Sequence, residues 1–262
     1  MGGHAAILLA LGWLVVAVMM AALWLVQRRR RDAGVVDVGW AAGLGLLAVL
    51  YGIWGGGEWR YRLMVAALAG LWSCRLATYV YVNRVRGKDE DGRYQTLRAK
   101  WGGRAQARFF VFFQVQGVLD LILSLPFLVV ASIQRAGLSW WAYCGVALWL
   151  VAVVGESVAD RELAAHRADP SRRGATCRSG LWRYSRHPNY FFEWLHWWTY
   201  VIIAAGAPWW WVALAGPAVM TFFLFKVTGI PATEAQALAT RGDDYRDYQR
   251  TTSVFVPWFP KR

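Results

Sequence analysis

Seven apolar runs, separated by short polar and mostly basic connections, organise this chain. They cover about 5–26, 35–55, 61–82, 108–133, 139–158, 189–206 and 208–228. A helix needs roughly 20 apolar residues to cross the hydrocarbon of a bilayer, and each run is read as one crossing. Two carry a charge inside, Arg75 in the third and Glu156 late in the fifth. The first run has no basic leader and no clear cleavage site, so it is read as a retained helix and not a signal peptide. No internal repeat and no long linker interrupts the series. The expectation is an all-α integral membrane protein, a bundle of seven transmembrane helices forming one domain over 1–262. Loops at 84–107 and 159–188 and an amphipathic tail at 232–262 complete it.

Composition and charge add an orientation. Of the 262 residues, 57% are hydrophobic and 18 are Trp, far beyond an ordinary soluble domain. Four arginines follow the first run, eight basic residues lie from Arg84 to Arg108, seven from Arg161 to Arg186, and six from Lys226 onward. The alternate connections hold only Arg60, Arg62 and Arg135. The positive-inside rule puts the N-terminus outside and the basic loops and C-terminus in the cytoplasm. The net charge of +13 is then concentrated on one face, where anionic lipid headgroups account for part of it. No nucleic-acid module accompanies the basic residues, and no obligate protein partner is evident. The three cysteines form no C-x-x-C pair, which supports neither a disulfide framework nor a zinc site. No P-loop and no G-x-G-x-x-G is present. Gly55 to Gly57 reads as a turn outside the membrane.

The polar residues near the membrane segments carry the chemistry. GLWRYSRHPNYFFE, from Gly180 to Glu193, crowds Arg183, Arg186, His187, Asn189, Tyr190 and Glu193 against an apolar run. Such groups are costly there and tend to be kept for a job. Pro188 presets the first turn of a helix, whose N-terminal N–H groups suit an anion. Asn189 and Glu193 are four apart on one face. Arg75, Tyr79 and Arg86 share a face if the helix is continuous, because eleven residues make about three turns; Asn83 lies near it. Arg75 reads either as a structural ion pair or as one wall of a polar cavity. Glu156, Asp160 and Arg167 fall on one stripe, as a salt-bridge cluster with Arg161 or as groups that hold an amide or a ribose hydroxyl. Asp37, early in the second run, is either paired with Arg75 or protonated by burial and able to donate to a carbonyl. His196, seven residues past Asn189 on the same face, reads either as a structurally satisfied histidine, the default for a lone His, or as a substrate-side residue. The tail opens with a cap-like Thr233 and Glu234, and Trp258 and Phe259 look interfacial.

These motifs, with Y-x-x-Y-Q-R and S-x-F-x-P-W-F-P near the end, resemble the steroid 5-alpha-reductase family in its bacterial branch. The resemblance runs from about Asp37 to the C-terminus. The family's N-x-x-x-E matches Asn189 and Glu193, and its R-x-x-x-Y followed by N-R-x-R matches Arg75, Tyr79, Asn83, Arg84 and Arg86. Its N-x-x-x-D with a later Arg becomes Glu156, Asp160 and Arg167, an acid replacing an amide. Trp72 stands where the eukaryotic members carry a catalytic Tyr, and Asp37 stands for the acid of a Gln-Glu pair. The resemblance implies a seven-helix enzyme of the bacterial inner membrane, with an NADPH site open to the cytoplasm, that reduces the double bond of a 3-oxo-Δ4-steroid or a similar apolar enone. It implies Asp37, Tyr79 and Trp72 as catalytic groups. It implies Arg75, Asn83, Arg86, Arg98, Glu156, Asp160, Arg167, Arg186, His187, Asn189, Tyr190, Glu193 and Tyr245 around the cofactor.

A second resemblance competes. R-H-P-x-Y entering a membrane helix, followed by an acid and Y-x-x-Y, is similar to the isoprenylcysteine carboxyl methyltransferases, which use S-adenosylmethionine. Arg186, His187, Pro188, Tyr190 and Glu234 fit that pattern. The second set of basic residues suits a cofactor with three phosphates better.

Overall fold

The computed structural model describes residues 2–227 and 229–261; Met1, Thr228 and Arg262, the ends of three expected segments, lie outside the described residues. Among the described residues every regular element is helical. Six stretches are long and apolar enough to cross a membrane: Gly3–Arg30, Val35–Trp54, Trp59–Val85, Gly92–Val130, Trp140–Ala168 and Trp210–Arg241. The protein is a multi-pass membrane protein. The segment expected at 189–206 is α-helical only over Pro188–Ile203, 16 residues, or about 24 Å at 1.5 Å per residue. That is short of a hydrocarbon core of roughly 30 Å.

Contacts group the residues into two compact units. One holds the chain up to Ser139 with Ala204–Ala215; the other holds Trp140–Ile203 and Gly216 onward.

The first unit begins with α1 (Gly3–Arg30), α2 (Val35–Trp54) and α3 (Trp59–Val80). α2 packs on two neighbours by exposing backbone where they come close. A Cβ on Gly39 would meet Leu23 of α1, one on Gly45 would meet Ser73 of α3, and one on Gly52 would meet Ala66 of α3. Small residues allow this approach between membrane helices. The glycines before α3 are a turn, as expected: Gly57 N–H donates to Ala131 O and Glu58 N–H to Ile133 O. Glu58 then caps α3 by accepting from Arg60 N–H. Basic residues close the other end of α1, with Arg31 in the left-handed region.

Two expected boundaries move. The loop 84–107 contains α4 (Gly92–Trp101), capped by Asp91. The run 108–133 divides into α5 (Ala105–Leu123) and α6 (Leu125–Val130), because Pro126 lacks the N–H that a continuous helix would use.

The second unit is built on α7 (Trp140–Ala168) and α8 (Pro188–Ile203). α7 runs ten residues beyond the expected end at 158, so Asp160 and Arg167 are helical. The two helices are antiparallel. A Cβ on Gly145 would meet Ile203, and one on Gly155 would meet the Phe192 ring. After α9 (Ala215–Phe222) and a π turn at Phe223–Val227, the tail forms α10 (Ile230–Arg241) and α11 (Asp243–Thr251) instead of one amphipathic helix. Leu224, Ile230 and Phe255 form a core with Tyr190, Phe191 and Trp194, and Trp194 Nε1 donates to Thr221 Oγ1 at 2.9 Å.

Candidate functional site

In the second unit nearly every residue of the 180–190 motif has a structural task. Gly180 adopts a φ of +57°, and a Cβ there would collide with the Glu162 carboxylate, which accepts Leu181 N–H at 2.8 Å. Trp182 Nε1 donates to Ala159 O of α7. The Tyr248 hydroxyl donates to Trp182 O, and to Ser185 O at 3.1 Å. Ser185 Oγ donates to Phe255 O and accepts His187 N–H. The motif is thereby fixed both to α7 and to the tail before Pro188 starts α8.

Arg186 is the centre of a clasp. Its Nε donates to Glu234 Oε1 at 2.7 Å, and its Nη1 donates to Gln249 O and Thr252 O at 2.9 and 2.8 Å. Glu234 sits on α10 and also takes Gln249 Nε2 at 2.8 Å, His187 Nε2 at 3.2 Å and the Tyr245 hydroxyl at 3.4 Å. His187 is buried and stacks on Tyr190, with ring planes 5° apart; the Tyr190 hydroxyl meets Thr233 Oγ1. Arg186, His187, Tyr190 and Tyr245 are thus brought together around Glu234. The guanidinium expected to clamp a phosphate uses Nε and Nη1 on the protein itself. Thr233 and Glu234 lie inside α10, whose N-cap is Gly229, so they are not the cap that the sequence suggests.

Beside the clasp, α7 and α8 bring acids and an amide face to face. Asn189 Nδ2 lies 3.4 Å from Asp160 Oδ1. The antiparallel register set by this pair puts Glu156, one turn earlier on α7, level with Glu193, one turn later on α8. Glu156 and Asp160 are buried, and Glu193 is half-buried. Arg167 is on the same helix but exposed. The stripe is rich in acceptors, and it suits amide and hydroxyl donors. His196, deeper on α8, is buried with Nε2 at 3.2 Å from the Tyr200 hydroxyl.

The first unit holds the remaining expected residues. Asp37 accepts from the Tyr94 hydroxyl at 2.6 Å and from Arg93 Nη2 at 3.0 Å. Its ion pair is with Arg93. Arg98 pairs with Glu90 at 2.6 Å and lies over the Phe109 ring, while Glu90 also accepts Ala33 N–H. Arg98 ties α4 down through Glu90. Trp72 is fully buried, edge-on to Trp40.

Arg75 and Tyr79 share a face of α3 and are half-buried. Arg86 does not join them. The chain turns as a π helix over Tyr81–Val85, each residue of which rotates the chain less than an α residue, and Arg86 is extended and exposed. Asn83 donates back to Tyr79 O at 2.8 Å, so its amide serves the π turn.

Three residues were not singled out for these places by sequence. Glu234 entered as a cap-like residue and through the methyltransferase-like pattern. Tyr94 carried no motif. Asp120, in the last turn of α5, is fully buried with neither carboxylate oxygen hydrogen-bonded among the described residues; an acid inside an apolar run was its only signal. No curated protein matches this chain, and no solved structure does. A family model described as "Protein of unknown function (DUF1295)" matches residues 23–252, and the chain belongs to that family.

Proposed function

We propose that the protein is an NADPH-dependent membrane reductase, acting on the C4=C5 double bond of a 3-oxo-Δ4-steroid or a similar flat, apolar enone. The observation that carries the reading is the facing pair of motifs in the second unit, Asn189-x-x-x-Glu193 on α8 against Glu156-x-x-x-Asp160 on α7, joined through Asn189 and Asp160. These groups fit the amide and hydroxyl groups of a dinucleotide. Arg167 and its exposed basic neighbours supply charge for phosphates. Arg186 acts as a positioning residue, holding the turn before α8 through Glu234. When bound, NADPH supplies the hydride for the β-carbon of the enone. Negative charge then develops on the carbonyl oxygen, where a hydrogen-bond donor stabilises it. Asp37 acts by holding α4 through Tyr94 and Arg93. The N-terminus lies outside and the basic loops and C-terminus in the cytoplasm of a bacterial inner membrane, with α8 as a short seventh crossing.

A second reading draws on one specific observation. Arg186, His187, Tyr190 and Glu234, the residues of the methyltransferase-like pattern, meet in one hydrogen-bonded cluster. Thermal melting of the detergent-purified protein with NADPH, NADH and S-adenosylmethionine in parallel separates the two, because a ligand that binds only the folded state raises the melting temperature. Stabilisation by NADPH, followed by its oxidation in the presence of an enone, supports the reductase. Stabilisation by S-adenosylmethionine alone overturns it.

A further inference from the structure

The first unit carries a second recess at the end of α2 and α6, where the α2–α3 turn, the segment after α6 and the start of α1 meet. Its volume is about 410 Å³, within the range of small-ligand sites. His4, Gly56, Ser132, Arg135, Gly206 and Trp209 are among the residues that line it. No acidic side chain lines it among the described residues. Arg135 is exposed, and its guanidinium lies over Gly206, where a Cβ would stand 3.6 Å from Nη2. His4 is anchored by Nε2 at 2.8 Å from Trp54 O, which leaves Nδ1 as its other polar ring atom. Trp209 is held in the left-handed region at a φ of 64°, a backbone state uncommon for a bulky residue and one that marks functional positions when the surroundings enforce it. Trp54, Trp59, Trp209, Trp210 and Trp211 of the same unit are exposed, the composition of a membrane–water boundary.

We propose that this recess binds a phosphate ester, with Arg135 as its charged contact. The shared chemistry is a phosphate group with glycerol attached, presented either as a lipid headgroup from the bilayer or as a soluble ester from water. An acid-free recess with an arginine in its lining, beside exposed indoles, favours an anion whose apolar part stays in the membrane.

The test uses the full-length protein, delipidated in detergent. Native mass spectrometry and thermal melting are run with dioleoylphosphatidylglycerol, glycerol 3-phosphate and the uncharged lipid dioleoylglycerol. The expected result is one tightly retained phosphatidylglycerol and a raised melting temperature, with affinity at least about tenfold weaker in Arg135→Gln, the loss of one charge-assisted contact. Arg60→Gln, at an arginine paired with Glu58 outside the recess, is expected to bind as wild type. Equal binding of glycerol 3-phosphate would identify the soluble ester as the source and still support the site. Arg135→Lys keeps the charge if the Gln variant does not fold, and it should retain part of the affinity. Unchanged binding in the folded Gln variant, or dioleoylglycerol binding as well as phosphatidylglycerol, would overturn the proposal. So would an absence of binding by both phosphate esters.

Discussion

Arg186 and Glu234, 48 residues apart in sequence, are joined at 2.7 Å with side chains only 11% and 15% exposed. The bond ties the turn before α8 to the C-terminal helices of the second unit. Removing one partner leaves a charge that has lost both water and its counter-ion. Glu234→Gln or Arg186→Met should therefore each cost about 3 kcal/mol. The double variant should cost clearly less than the sum of the two. Denaturant titration of the purified protein measures all three.

Asn189 and Asp160 make the contact on which the reductase reading rests. Asn189→Leu removes the amide while keeping a side chain of similar size at an α-helical position. The expected outcome is a protein that melts within a few degrees of wild type yet needs at least about tenfold more NADPH for the same stabilisation, the loss of one to two hydrogen bonds. Equal NADPH stabilisation in both proteins would remove the stripe from the cofactor site.

Asp37 shows how far the sequence could be read. Its position at the start of an apolar run was legible, and so was the alternative that it pairs with an arginine. Its partner was not, because Arg93 lies 56 residues away on a helix that hydropathy reads as a loop. The six long apolar stretches were legible for the same reason that they exist: roughly 20 apolar residues in a row have few other fates. The short α8 was overextended, since Ala204–Gly206 continues the apolar run after the helix has stopped. Arg86 was misplaced because one π turn breaks a period counted in α turns. The clasp on Arg186 lay hidden because its acceptors include two backbone carbonyls, which no side-chain motif records.

The Asp37 contacts make a further expectation. Tyr94→Phe removes one hydrogen bond and should cost about 1 kcal/mol. Asp37→Asn also weakens the Arg93 pair and should cost more. The loss should be local: faster amide exchange across Gly92–Trp101, with little change in α7 and α8. Hydrogen exchange read by mass spectrometry distinguishes this strap role from a catalytic one. Asp37→Asn with an unchanged α4 but a collapsed turnover would restore the catalytic assignment.

Asp244 predicts a pH dependence in the tail. Hydrogen bonds from Thr176 and the nearby Arg178 guanidinium hold its carboxyl below the usual carboxylate range. A depressed folded-state value means that the ionised form favours the docked tail. That stabilisation is fully present above the ordinary carboxylate value near 3.8 and is lost as pH falls through the lower, folded value. Limited proteolysis of the tail by pepsin should therefore accelerate only as pH falls below about 4. Asp244→Asn should start from the faster rate and lose most of that dependence, leaving the part due to Asp247, which also approaches Arg178.

Asp120 and Gly43 predict a coupled pair in the first unit. The carboxylate lies where a Cβ on Gly43 would be, with Met19 3.0 Å from the same point. Gly43→Ala must push against a fully buried side chain, at a cost of about 1–3 kcal/mol. Asp120→Leu trades an acid without hydrogen-bond partners among the described residues for an apolar group of similar volume, which often leaves stability unchanged or raises it. Asp120→Ala opens space on the α2 face, so Gly43→Ala should cost less in that background than in wild type. If the two effects simply add, Gly43 is not the residue that makes room for the acid. If Asp120→Leu instead lowers stability by several kcal/mol, the carboxylate has a compensating partner, and the reason for an acid in the last turn of α5 is structural.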